Sequence, residues 1–99
     1  MPYKEGTEKA FTEEVRKVAR TLGWLEMHPF DSRRTTAGFP DLTMVRKPRV
    51  VFAELKLDVK RSKLSPAQIV WKEELEQCKG VEYYLWRPSN WEEIIGVLR

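Results

Sequence analysis

Cysteine is nearly absent from this 99-residue sequence, long apolar runs are absent altogether, and there is no internal repeat or low-complexity tract. Each absence removes a class of protein. Cys78 alone can make neither an internal disulfide nor a zinc site, which excludes a disulfide-stapled scaffold and fits a reducing compartment. With apolar runs of only a few residues nothing spans a bilayer, and Met1-Pro2-Tyr3-Lys4-Glu5 leads into polar sequence without a signal region, so a cytoplasmic protein off the membrane is expected. Charge of one sign is also missing: 18 Lys and Arg nearly cancel 15 Asp and Glu, and a net +3 permits a nucleic-acid partner without demanding one. What is present is 41% apolar residues with four Trp, four Phe and three Tyr, enough for one core. A single globular domain over residues 1–99 is expected.

The apolar spacing predicts the elements. Phe11, Val15, Val18, Ala19 and Leu22 form one stripe of a helix over residues 7–22, with Thr7 as N-cap, Glu8 in the first turn and Gly23 just past the end. Residues 24–28 read as a strand stopped by Pro29, and residues 31–38 as a polar loop. Residues 41–45 and 49–57 read as a hairpin around Arg46-Lys47-Pro48. In the second of these, Val50, Phe52, Glu54 and Lys56 share one face and Val51, Ala53, Leu55 and Leu57 the other, which suits a central strand. After the charged turn 58–63, Ser65-Pro66 opens a second helix whose stripe is Ala67, Val70, Trp71, Leu75 and Cys78, with Gly80 beyond it. Residues 81–86 give a last strand, and Pro88-Ser89-Asn90 caps a short final helix carrying Trp91, Ile94, Ile95 and Leu98. The fold class is α/β: a mixed sheet flanked by helices, an αβββαβ core plus a short C-terminal helix, with a right-handed parallel crossover joining the last two strands.

Charges within strands need a physical reason. Asp41 opens one hairpin strand, and Glu54 and Lys56 point the same way within the other, two residues apart. An isolated carboxylate on a central strand costs several kcal/mol unless it is paired or metal-bound. Closing the hairpin at Arg46-Lys47-Pro48 brings Asp41 across from Glu54 and Lys56, so two acids and an amine converge. Such oxygen ligands suit a hard divalent cation, Mg²⁺ or Mn²⁺, which keeps waters and takes a substrate phosphate. With a phosphate bound, Lys56 would position a water and stabilise developing negative charge, and the implied reaction is phosphodiester hydrolysis. Arg33 and Arg34 on the loop before Asp41, and Lys60, Arg61 and Lys63 just beyond the second strand, are placed to contact DNA phosphates.

Gly38-Phe39-Pro40-Asp41, followed after twelve residues by Glu54-Leu55-Lys56, resembles the site pattern of the PD-(D/E)xK nuclease superfamily. Within it, the chain is similar to the stand-alone VRR-NUC domains through Thr7-Glu8, Gly23-Trp24, Leu64-Ser65-Pro66-Ala67-Gln68 and Trp86-Arg87-Pro88, which together span nearly its whole length. The resemblance implies that Asp41, Glu54 and the backbone carbonyl of Leu55 hold the metal, that Lys56 is the catalytic lysine, that Glu8 binds a second metal or a metal-bound water, and that Gln68 lies beside the site. It departs at Thr12, where many relatives carry glutamine. It further implies structure-selective cleavage of branched DNA such as Holliday junctions or flaps, a role in DNA repair, a homodimer, a possible helicase partner and a bacterial or phage origin.

Plainer readings stand beside these. Asp41 can be a turn residue, Glu54 and Lys56 a solvated ion pair, Glu8 a helix-dipole acid, and Gln68 the N3 member of a capping box with Ser65. His28, the only histidine, reads as a satisfied, partly buried strand residue rather than a general base. Cys78 reads as a small core residue at a helix end, and Trp24, Trp71, Trp86 and Trp91 as core packing rather than base stacking. The rival functions are a catalytically silent nucleic-acid-binding module and a small α/β interaction domain.

Overall fold

The computed structural model describes residues 7–29 and 36–99. The first helix, α1, spans Glu8–Thr21; the Thr7 side chain accepts the Ala10 N–H at 2.9 Å, and Gly23 beyond the C-cap is left-handed at φ 87°. Its predicted stripe is its buried face, since Phe11, Val15 and Ala19 are inaccessible and Val18 and Leu22 pack against the core. Strands β1 (Leu25–Met27), β2 (Leu42–Arg46) and β3 (Arg49–Leu55) form an antiparallel meander, with Arg46 opposite Arg49 so that Lys47 and Pro48 make the turn. The second helix, α2 (Pro66–Glu76), crosses over to β4 (Glu82–Trp86), which pairs parallel to β3; a 3₁₀ turn, Pro88–Asn90, leads into α3 (Trp91–Leu98). The sheet order is β1-β2-β3-β4, which makes β3 a central strand.

Alternation along β3 divides the sheet. Val51, Ala53 and Leu55 are buried with Leu42, Met44 and Trp86 and meet the core residues of α1 and α3, Phe11, Val15, Ala19, Ile94 and Leu98. The core is one cluster on this side. Phe52 and Glu54 fall on the opposite face, where Phe39 packs edge-on against both Phe52 and Trp71 of α2. Burying some ten large apolar side chains at roughly 1.5–3 kcal/mol each is the dominant stabilising term.

Two expectations for α2 are corrected. The helix ends at Glu76 with Gln77 as its C-cap, so Cys78 is an exposed residue in the turn and not part of the core. Val70 is 60% exposed and no α2 residue is buried. The reason is position: α2 lies against β4 at the rim of the sheet, and only Ala67, Gln68, Trp71, Lys72 and Leu75 are half-buried. Trp24 and Trp86 are core residues as expected, while Trp71 and Trp91 are half-buried. Among the described residues no helix is long and apolar enough to cross a membrane.

Candidate active site

The site lies where β2 begins and β3 ends. Asp41 immediately precedes β2, and its Oδ2 accepts the Leu55 backbone N–H at 2.9 Å, holding the carboxylate against the end of β3. Neighbouring peptide units alternate in direction along a strand: the Lys56 N–H goes to the Trp86 carbonyl of β4 at 3.0 Å, whereas the N–H of Leu55 faces Asp41. Because a strand residue's N–H and C=O face the same neighbour, the Leu55 carbonyl lies on the Asp41 side. The hairpin register pairs Leu42 with Ala53, which carries Asp41 opposite Glu54.

Glu54 is only 2% exposed. Its Oε2 accepts a 2.9 Å hydrogen bond from Gln68 Nε2. That amide does two jobs: Gln68 Oε1 accepts the Ser65 N–H at 2.8 Å while Ser65 Oγ accepts the Gln68 N–H at 3.2 Å, a capping box that leaves Nε2 for Glu54. Gln68 is thus a helix-cap residue whose remaining amide group also meets Glu54. Burial first, then the hydrogen-bonded Asp41 carboxyl and its charge, push the Glu54 carboxyl up to about 9, with Lys56 pulling the other way. Charge on the buried carboxyl is opposed by burial and by its acidic neighbour, and a bound proton or a cation relieves that opposition.

Lys56 and Glu8 complete the cluster. The Lys56 ammonium acts electrostatically on both Glu54 and Glu8 without a direct ion pair to either. Glu8, in the first turn of α1, has its carboxyl raised by partial desolvation, lowered by Lys56 and raised again by Asp41. A cleft of about 550 Å³ runs between Glu8, Thr12, Arg16, His28 and Asp41. Thr12, at the position where the resemblance departs, is buried, and its hydroxyl donates to the Glu8 carbonyl at 2.8 Å, so its proton is already engaged within the helix.

Local structure explains the Gly-Phe-Pro-Asp approach. Gly38 has φ 86°, and a Cβ there would stand 2.4 Å from the Ala67 carbonyl oxygen, so only glycine lets this loop lie on the first turn of α2. Trp71 Nε1 donates to the Ala37 carbonyl at 3.2 Å and the Trp71 ring packs on Phe39, clamping the same loop. On the far side, the turn after β3 is anchored at several points. The Leu57 N–H goes to Ser62 Oγ, Arg87 donates to the Leu57 carbonyl, and Asp58 accepts from Ser89 N–H and Oγ. Lys60, Arg61 and Lys63 are exposed on that turn. Arg33 and Arg34 lie outside the described residues.

Two groups here were given no place in the site by the sequence. His28 Nδ1 donates to the Asp41 carbonyl at 2.8 Å. The Tyr83 hydroxyl is buried with no partner among the described residues, and burial followed by the charge of Glu54 pushes it upward. Neither the His28 contact nor the buried Tyr83 hydroxyl follows from local periodicity. The one hint for His28 is its place at the end of a strand beside a charged loop, where a ring nitrogen can reach a carbonyl that the ladder leaves unpaired.

The donor set is compatible with a hard cation. It consists of oxygen donors, each carboxylate retains one oxygen not engaged by Leu55 or Gln68, and the excess negative charge of the Asp41–Glu54 pair is of the kind a divalent ion relieves. Among the described residues no ready-made group of three His, Cys, Asp or Glu ligands is preformed, so water and phosphate oxygens would have to complete the coordination.

No protein-family model and no curated protein matches the chain. A solved structure described as "VRR_NUC domain" does match, with a TM-score of 0.69 at 19% identity, over 90% of this chain and 94% of that one. The αβββαβ order with Asp41, Glu54 and Lys56 gathered at one end of the sheet is thus set in a chain that has the fold of a VRR_NUC domain.

Proposed function

We propose that the protein is a metal-dependent endonuclease that hydrolyses DNA phosphodiester bonds. The observation that carries this reading is the convergence of Asp41, Glu54 and Lys56 at the shared end of β2 and β3, with Gln68 and Glu8 beside them. The VRR_NUC fold supports it.

Asp41, Glu54 and the Leu55 carbonyl are the groups that would hold Mg²⁺ or Mn²⁺, with Glu8 reaching a second ion or a bound water. A bound divalent ion supplies Lewis-acid polarisation of the phosphate and a water of lowered pKa. Lys56 places its ammonium beside the phosphate to stabilise the charge that develops on its oxygens and to orient the attacking water. Gln68 holds the Glu54 carboxylate in one orientation. Lys60, Arg61 and Lys63, on their anchored turn, together with Arg33 and Arg34, would bind the backbone and set a salt-dependent, mostly sequence-independent affinity. A domain of this size has little surface left for reading base sequence, so we assign it to branched DNA, Holliday junctions or flaps, in DNA repair. A homodimer with two sites would match a two-fold junction, and a helicase could deliver the substrate.

The test is cleavage of labelled branched and linear DNA in Mg²⁺ or Mn²⁺, against EDTA and against Asp41→Ala. Nicking of branched DNA that needs the ion and is lost by more than about 10³-fold in the variant is expected, since metal and electrostatic stabilisation together supply several kcal/mol. Binding without cleavage would instead indicate a silent nucleic-acid-binding module, and neither binding nor cleavage an interaction domain.

A further inference from the structure

The ladder between β1 and β2 stops at the pair Met27–Thr43, two residues short of Asp41. Beyond that point the backbone carbonyl of Asp41 has no strand to pair with, and the imidazole of His28 takes the place of the missing donor, Nδ1 to O at 2.8 Å. A carbonyl oxygen only accepts, so Nδ1 carries the hydrogen in this contact. Nε2 has no partner among the described residues, and the ring forms wall in two cavities that also touch Asp41, the cleft with Glu8 and a smaller one of about 170 Å³ with Gly38 and Gln68. Asp41 is therefore gripped twice, by Leu55 N–H at its carboxylate and by His28 at its backbone.

We propose that His28 is a positioning residue for Asp41: its Nδ1–H fixes the Asp41 backbone and thereby aims the carboxylate at Glu54 and the end of β3. The inference rests on the hydrolytic reading of that cluster. Its chemistry lies in the Nδ1 hydrogen bond, while Nε2 serves only as cleft wall.

Two isosteres separate the ring nitrogens. His28→Asn sets an amide N–H close to where Nδ1 stands, His28→Gln sets one where Nε2 stands, and His28→Ala has neither. Removing a group that orients a metal-site ligand typically costs about 10–100-fold in activity or metal affinity. His28→Ala and His28→Gln are expected to lose that much in kcat, with KM for DNA changed less than about twofold, and His28→Asn to retain most of the rate. In the metal-free, DNA-free protein, long-range ¹H–¹⁵N spectra of the imidazole are expected to find hydrogen on Nδ1. Hydrogen on Nε2, full activity in His28→Ala, or retention by His28→Gln in place of His28→Asn overturns the proposal. Should the wild-type protein cleave no DNA, the hydrolytic reading falls, and the tautomer alone decides whether His28 holds Asp41.

Discussion

The two ends of β3 carry opposite electrostatic designs. At its start, Arg49 donates to both oxygens of Glu82 at 2.7 Å and to the Val97 carbonyl, and its guanidinium lies over the Trp24 ring beside that of Arg46. Arg46 in turn caps the carbonyls of Leu22, Leu98 and Arg99. There Arg49 has Glu82 as its counter-charge and Arg46 is satisfied by backbone carbonyls, and Glu82 is held below its ordinary value, first by the Arg49 hydrogen bond. At the far end of the same strand Glu54 is buried against another acid, receives a neutral amide rather than a cation, and is pushed up to about 9. One end is saturated with hydrogen bonds and builds the fold; the other is left open, with a buried acid that no cation among the described residues pairs directly.

The largest effect expected from breaking this contrast is on catalysis. Lys56→Ala should lower the cleavage rate by about 10²–10³-fold, the scale of losing one preorganised stabiliser of transition-state charge, while Arg49→Ala lowers stability and leaves the rate of the folded protein near that of wild type. Single-turnover cleavage alongside urea unfolding separates the two. Next in size is Gly38→Ala, in which both the positive φ and the Ala67 carbonyl oppose a Cβ; a loss of about 1–3 kcal/mol in urea unfolding is expected.

Smaller still are the isosteric carboxylate substitutions, which should move in opposite directions. Glu54→Gln can accept from Gln68 and donate to Asp41, so removing the buried acid stabilises the metal-free protein by about 1 kcal/mol, or about 4–8 °C in Tm. Glu82→Gln breaks a pair whose side chains are about one-third exposed (30% and 31%), costing about 0.5–1 kcal/mol. The second effect depends on pH. Folding depresses the Glu82 carboxyl below 4.5, so its contribution is complete above that value and disappears as pH falls through the folded one. The difference in urea midpoint between wild type and Glu82→Gln is thus expected to be largest near neutral pH and to disappear as pH falls through the folded value.

Much of this was legible in the residues themselves. Helical spacing located α1 and its buried face, and two-residue alternation put Glu54 and Lys56 on one face of a central strand opposite Asp41. Those are local patterns, and local patterns survive in a sequence. The amphipathic stripe drawn for α2 failed at Val70 and Cys78 because a rim helix over one edge strand needs only a narrow apolar contact, which leaves weak periodicity. His28 on Asp41, Gly38 on Ala67 and the clamp of Trp71 on Phe39 join residues 13 or more positions apart across different elements, and no spacing rule announces them. Gln68 was ambiguous between cap and site because its amide has two ends and uses both.

If the open end of β3 is a cation site, the metal-stripped protein must take up a divalent ion there, and calorimetric titration with Mn²⁺ tests that most directly. Saturable uptake by wild type and by Glu82→Gln, abolished in Asp41→Ala and Glu54→Gln, is the predicted result. Uptake in Asp41→Ala and Glu54→Gln equal to that of wild type, or none in wild type, would contradict it.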